Sequence, residues 1–452
     1  MMTVSGSNRG PLLASAGARL LIAAIAVLCL WCGVLWAYLA PPPPTVSDRR
    51  PVRAPPSLHL VVASGQPAPA GGSFDRFDIA SQPIVAPVNA RGHVAFYASV
   101  VRSKMREGIF LATDRGVVKV AGVGDLVPGA GSLSEFAGHP IPALNDSDKV
   151  AFGAAVTGAR TSEGVFLASE GTLKPIALSG NDAPGVFTGT FVEFDAPAIN
   201  NWDEVAFVAT VRRGRETFQA LYLYSGGKLR KLVAEGERLP PPARGTFDKF
   251  GVPAINNKGV IAFPAVLEHA AVLGGIFLAG TRDLRMLVGV GDLGPNGAML
   301  VRLSERVAIN DEDNVALGAQ LRSGDATKEA VLLATPGGLM EIAAVGDSAP
   351  GGGTFATFGA WPSLGPGDVV AFIAGIDGGP GALGLYAGQT RDNLRRIAMV
   401  GDRLANGKVL QGFAINPVAS AGSNGGMTFA TMAEPGAGEN SIYYFGPPAA
   451  AN

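Results

Sequence analysis

The chain has 452 residues, of which 47% are apolar, 62 are glycine and 33 are proline. That apolar content excludes a disordered polymer, which cannot bury enough surface to offset chain entropy. Lys and Arg number 36 against 37 Asp and Glu, so no chain-wide field exists to hold a nucleic acid. A positive mean hydropathy with abundant Gly and Pro leaves two classes open: a turn-rich all-β protein or a small-residue membrane protein.

Residues 1–19 read as a short N-terminal tail. Leu20 to Ala40 follow as 21 consecutive uncharged, mostly apolar residues. As a helix this run spans about 30 Å, the thickness of a bilayer core. It exceeds a signal-peptide core of roughly 7–15 residues, and no clean small-x-small cleavage site precedes Pro41. We read an uncleaved single-pass anchor in the lipid bilayer, with a cleaved signal peptide as the alternative. Arg9 and Arg19 on one side face Arg49, Arg50 and Arg53 on the other, so charge alone does not orient it. Cys29 and Cys32 lie inside the apolar run with no ionisable neighbour and read as packing residues. Residues 41–57 carry seven prolines and read as a stiff spacer.

From residue 58 onward the chain repeats. Asn89-Ala-Arg-Gly-His-Val-Ala-Phe96 returns as Asn145 to Phe152, Asn200 to Phe207 and Asn256 to Phe263. Weaker copies run Asn310 to Leu317, Gly365 to Phe372 and Gly422 to Phe429, and the final positions are spaced by 56, 55, 56, 54, 55 and 57 residues. Three further elements recur in phase: a GIFLA run (108–112 and its copies), an LxxLVA run (117–122 and copies) and a Gly-polar crossover such as Gly124-Asp125. Each run is short, rich in Val, Ile, Phe and Leu, and bounded by Gly, Asn or Asp, which predicts strands. Several are apolar on both faces, so they must be sandwiched between sheets.

Four strands per unit and seven units predict an all-β, seven-bladed β-propeller over 58–446, with a short tail at 447–452. A blade runs FxxFxxPxIN, VAF, GIFLA, LxxLVA. The seventh then lacks its last strand, and the spare run 58–63 is expected to supply it and close the ring. The Asn-turns and the GIFLA–LxxLVA turns share one rim; the variable VAF–GIFLA loops and the crossovers share the other.

The set Asn89/Gly92/Ala95/Phe96 and its copies resemble bacterial NxxGxxAF tandem-repeat proteins, also called choice-of-anchor repeat proteins. The resemblance covers about 58–445 and implies an exported envelope or surface protein, with no known catalytic residues. Gly365 and Gly422 depart from its pattern.

Chemistry-bearing motifs are few. Gly289 to Gly294 and Gly379 to Gly384 match G-x-G-x-x-G, but neither precedes a helical pattern, so no nucleotide cofactor is expected. Asp148 and Asp313 stand where Gly92 and Gly259 stand in other units, so they read as turn residues rather than calcium ligands. Asp125, Asp292, Asp347 and Asp402 read as caps of their own loop amides. His59, His93, His139 and His269 fall in different units without metal-like spacing. The inner-strand residues around Pro-x-Ile-Asn are mostly apolar or small, so the axis is expected to offer little chemistry.

One asymmetry stands out. The variable loops of units one to three carry Arg102, Lys104, Arg106, Arg160, Arg212, Arg213 and Arg215 against three Glu: Glu107, Glu163 and Glu216. Those of units five to seven are net acidic. The basic side is the expected contact for an unknown envelope protein or an anionic glycan. The reading is a binding or assembly module on the extracytoplasmic side of the bacterial inner membrane, without catalytic, cofactor or metal residues. The alternative is a propeller hydrolase or lyase acting on an envelope glycan.

Overall fold

The computed structural model describes residues 58–446, apart from 79–81, 137–140, 159–160, 281–282, 405–406 and 433–439. The expected anchor 20–40, with Cys29 and Cys32, the spacer 41–57, His139 and Arg160 lie outside the described residues. Among the described residues no helix is long and apolar enough to cross a membrane.

Seven antiparallel sheets form a β-propeller. In the third blade the inner strand Gly189–Phe194 pairs with Val205–Arg213, which pairs with Glu216–Ser225, which pairs with Lys228–Ala234. The other blades follow the same meander. The ring is closed by non-contiguous pairing. Leu58–Ala63 runs antiparallel to Ser441–Phe445, so the N-terminal strand is the outer strand of the seventh blade.

Two-sided strand burial produces seven cores, each shared between neighbouring blades. Val165 and Leu167 of blade two pack with Phe191, Phe194, Phe207 and Tyr222 of blade three. The recurrent aromatics meet edge-on and stacked: Phe247 to Phe277 at 4.9 Å and 63°, Phe207 to Tyr222 at 5.9 Å and 17°. Blade five fills the same positions with Leu300, Leu317 and Leu332.

Tyr222 and Tyr386 stand where Phe110, Phe166 and Phe277 stand in other blades, and neither hydroxyl has a hydrogen-bond partner among the described residues. Burial raises both phenols, Tyr386 to about 12. Tyr222→Phe should therefore leave stability unchanged or raise it by up to about 1 kcal/mol, because the hydroxyl is buried without return. A chemical-denaturation midpoint that falls by the equivalent of about 1 kcal/mol would show that this hydroxyl does have a partner.

The repeated Asn explains the rim that carries it. Asn256 is buried; its Oδ1 accepts the Lys258 and Val260 N–H groups at 3.1 and 2.9 Å, shaping its own turn. Its Nδ2 donates to the Asn310 carbonyl and to Asp313 Oδ1 of the next blade, both at 2.8 Å. Asn89, Asn145 and Asn200 donate to the following Asn carbonyl in the same way. Asp148, Asp203, Asp313 and Asp368 sit at the left-handed turn position, φ 60 to 65°, where Gly92 and Gly259 sit at 77 and 76°. The Asp copies there also accept an amide from the preceding blade. This side-chain ladder ends at Asp368, because Gly365 and Gly422 have no amide to pass on.

Candidate functional site: the axial cavity

The crossovers and the variable loops share the opposite rim. Ser103 Oγ donates to the Ala70 carbonyl at 3.3 Å, tying one loop to one crossover. The crossover carboxylates cap their own loops: Asp125 accepts Gly122 N–H at 2.9 Å, Asp292 accepts Gly289 N–H at 2.7 Å, Asp347 accepts Ala344 N–H at 2.8 Å and Asp402 accepts Met399 N–H at 2.9 Å. The G-x-G-x-x-G stretch 289–294 belongs to such a crossover and opens no nucleotide-binding helix; Pro295–Gly297 is a single 3-10 turn.

Arg102, Lys104, Arg106, Arg212, Arg213 and Arg215 are exposed on this rim. Arg213 pairs with Glu216 at 3.3 Å and lies over Phe218 at 5.4 Å. The basic residues of blades one and three stand on separate blades, and none lines the axial cavity described below. Two of the acids counted against them are not rim charges. Glu107 accepts the Phe136 N–H at 2.8 Å and the Tyr97 hydroxyl at 2.7 Å, and Glu163 accepts the Phe194 N–H at 2.9 Å. Both bind a blade to its successor, as Gln219 does through Phe250 N–H at 3.0 Å. Exposed apolar side chains also gather on this rim: Phe187 (90%), Leu126 (81%), Leu273 (76%) and Leu293 (72%).

The axis differs from the sequence expectation. At the Asn rim all seven blades surround a narrow space of about 250 Å³, lined by Asn and Asp side chains over Val88, Ile199, Ile255 and their equivalents. At the level of the loop rim the axis widens into a cavity of about 900 Å³, again bounded by every blade. Its wall is polar where blades three, five and six meet: Asp195, Arg302, Glu305, Arg306, Glu329 and Trp361. A second space of about 570 Å³ between blades four and five shares Asp195 and Arg302 with it. The expected apolar, small-residue axis therefore holds only toward Pro-x-Ile-Asn.

The polar wall comes from segments that do not repeat. Between the second core residue of the inner strand and the Pro-x-Ile-Asn run, blade three has Asp195-Ala196 and blade four Gly251-Val252. Blade five has Ser304-Glu305-Arg306 and blade six Gly359-Ala360-Trp361. Copies aligned only on their shared residues hide these inserts; their unequal length was the available signal. Blade five accommodates its extra residue in one continuous strand, Met299–Ile309, where blades three, four and six have two pieces. The insert reaches blade four, where Val252 N–H donates to the Glu305 carbonyl at 3.2 Å. Gly251 permits this approach, since a Cβ there would lie 2.4 Å from the same oxygen.

The described lining contains Asp, Glu, Arg, Ser, Gln, Asn and Trp, and no His, Cys, Tyr or Lys. Among the described residues no group of three His, Cys, Asp or Glu could hold a metal ion. Fold and cavity together define a seven-bladed propeller with a polar pocket on its axis. The chain belongs to the family described as "Family of unknown function (DUF7453)", whose model matches residues 52–274 and 268–441. No curated protein matches the sequence. Solved structures align with most of the chain at low identity. An oligogalacturonate lyase in complex with manganese aligns at TM-score 0.45 and 10% identity, covering 88% of this chain and 98% of that one. The polysaccharide lyase Uly1 aligns at 0.45 and 11%, covering 85% and 94%. The Dos1 propeller aligns at 0.38 and 8%, covering 82% and 96%. The fold rests on the strand pairing described above, and these alignments carry nothing about activity.

Proposed function

We propose that the protein is a membrane-tethered, extracytoplasmic binding module that takes its ligand in the axial cavity from the loop rim. The observation that carries this reading is the convergence of side chains from different blades on one cavity, at positions where the repeat is broken. A rigid ring with a pocket built from non-repeated residues is how a repeat scaffold acquires a site.

The test uses the full chain in detergent micelles and thermal-shift screening against fractionated envelope glycans and lipids. Ala360 lines the cavity and is exposed, so Ala360→Trp fills it without entering a packed core. A ligand that raises the wild-type midpoint should leave Ala360→Trp unmoved; a ligand acting equally on both would overturn the axial site.

The basic loops are proposed as a second, rim contact for an anionic partner. Reversing Arg212, Arg213 and Arg215 to Glu should abolish any salt-dependent part of envelope retention while leaving the melting midpoint within a few degrees. Retention unchanged across a salt titration would dismiss the rim.

A second reading, a hydrolase or lyase acting on an envelope glycan, draws on the carboxylates Asp195, Glu305 and Glu329 at the same cavity. Turnover of cell-wall fragments by the purified protein, lost in Glu329→Gln, would select it.

A further inference from the structure

Blade five carries a polar row that crosses three of its strands. Arg302 on Met299–Ile309 stands opposite Gln320 on Val315–Ser323, and Gln320 stands opposite Glu329 on Ala326–Thr335. Side chains directly opposite one another in neighbouring strands share a face, and all three line the axial cavity. No equivalent row in blades two, three, four and six combines a cation with a carboxylate; blade four, for example, has Lys249, Val266 and Gly274. Glu329 also occupies a position that earlier blades use as a joint. Glu107, Glu163 and Gln219 each accept the N–H of an inner-strand residue in the next blade. Among the described residues the Glu329 side chain makes no hydrogen bond or ion pair, and neither do the side chains of Gln320 and Arg302.

The neighbouring corner of the wall is already compensated. The Arg306 guanidinium lies over the Trp361 indole of blade six, 4.8 Å from its centroid, and the charge of Asp195 acts on it against the desolvation that lowers it. With that corner set aside, Glu305 and Glu329 stand against Arg302, so the remaining wall is net acidic and disfavours a polyanion. Along the row the charges are separated rather than paired. Carboxylate, amide and guanidinium follow one another at the strand spacing of about 4.8 Å, which puts the Arg302 and Glu329 backbones about 10 Å apart. The complement of such a row has an ammonium at one end, a carboxylate at the other and an amide between. A carboxylate accepts from an ammonium, a primary amide both donates to and accepts from a peptide group, and a guanidinium fork matches a carboxylate. An extended chain advances about 3.3–3.6 Å per residue, so two or three residues span the row.

We propose that the axial cavity binds a short zwitterionic peptide, with its ammonium at Glu329, a backbone amide at Gln320 and its carboxylate at Arg302. This rests on the axial-cavity reading above and supplies its ligand class. The cavity of about 900 Å³ has room for a tripeptide and its side chains. Glu329 reads one terminus and Arg302 the other, so the two residues select for different ends of the same molecule.

Calorimetric titration of the full chain in micelles, at an ionic strength of about 0.15 M to screen long-range charge, tests the assignment. The probes are tri-alanine, its N-acetylated form and its C-terminal amide. Capping either end should weaken binding by about tenfold, as loss of a charge-assisted hydrogen bond predicts. Glu329→Gln should erase the penalty for acetylation and keep that for amidation; Arg302→Gln should do the reverse. Both positions are exposed, so neither variant should move the melting midpoint. A variant that changes both penalties alike would overturn the row as the contact. Equal affinity for free and capped peptides, lost in Ala360→Trp, would overturn the zwitterion and leave the cavity as the site. Binding of tri-alanine that survives Ala360→Trp would overturn the proposal and the axial site together. No binding of tri-alanine by the wild type would overturn the proposal alone.

Discussion

Asn256→Ala is expected to destabilise the propeller by about 2–4 kcal/mol, far more than one polar side chain at a turn would ordinarily contribute. The buried amide serves two blades at once. Truncation leaves the Lys258 and Val260 N–H groups without their acceptor and the Asn310 carbonyl and Asp313 carboxylate without their donor. Each such buried group costs on the order of 1–3 kcal/mol when stranded, and water reaching the turn reduces the sum. Denaturant unfolding checks this against Lys258→Ala, which removes an exposed side chain from the same turn and should shift stability by less than about 0.5 kcal/mol. If the two variants unfold alike, the inter-blade ladder is not a source of stability. Gly365 and Gly422 show that the turn itself can form without the amide, since Gly365 N–H still donates to the Val369 carbonyl at 2.9 Å and Gly422 N–H to the Gly426 carbonyl at 2.8 Å. The ladder therefore binds blade to blade; it is not required to bend the chain.

Internal deletion of Leu58–Ala63 is expected to have the larger effect. Leu58 and Val62 are fully buried, and each aliphatic side chain removed from a packed core costs about 2–5 kcal/mol. The deletion also strips the outer edge of Ser441–Phe445, leaving a row of unpaired backbone groups beside blades one and six. Together these losses reach the whole stability of an ordinary domain, about 5–15 kcal/mol. Limited proteolysis should find the ring open, with cooperative unfolding lost. Re-attaching the same six residues after Phe445 through a short turn should restore the transition, because pairing rather than chain order closes the sheet. A deletion protein that melts with the wild-type midpoint would show that the ring closes some other way.

Much of the fold was legible because its causes are local and recur. An Asn followed three residues later by Gly or Asp marks a tight turn wherever it appears, and Asp148, Asp203 and Asp313 adopt the left-handed conformation that Gly92 and Gly259 predict. The crossover Asp residues cap their own amides for the same local reason. The spare strand at 58–63 followed from counting, since four strands per unit left the last blade one short. The axial cavity was not legible, because the residues that make it are those the repeat does not share. Arg306 and Trp361 belong to two separate copies, and nothing in either copy marks them as neighbours. The rim charges were legible as a list but not as a surface: Glu107 and Glu163 turned inward to join blades, a role only the neighbouring blade's backbone reveals.

By itself the sequence determined the strand pattern, the number of blades and the means of closure, because a period near 55 residues records the same short-range turn and burial chemistry seven times. The tertiary structure decided what that ring can hold. A closed propeller brings seven inner strands, each more than fifty residues from the next, to a common axis, and there a one-residue insertion in blade five and another in blade six place a cation against an indole. The Asn side chain carries the same lesson on the other rim: its turn could be read locally, but its donor reaches a carbonyl some 55 residues away.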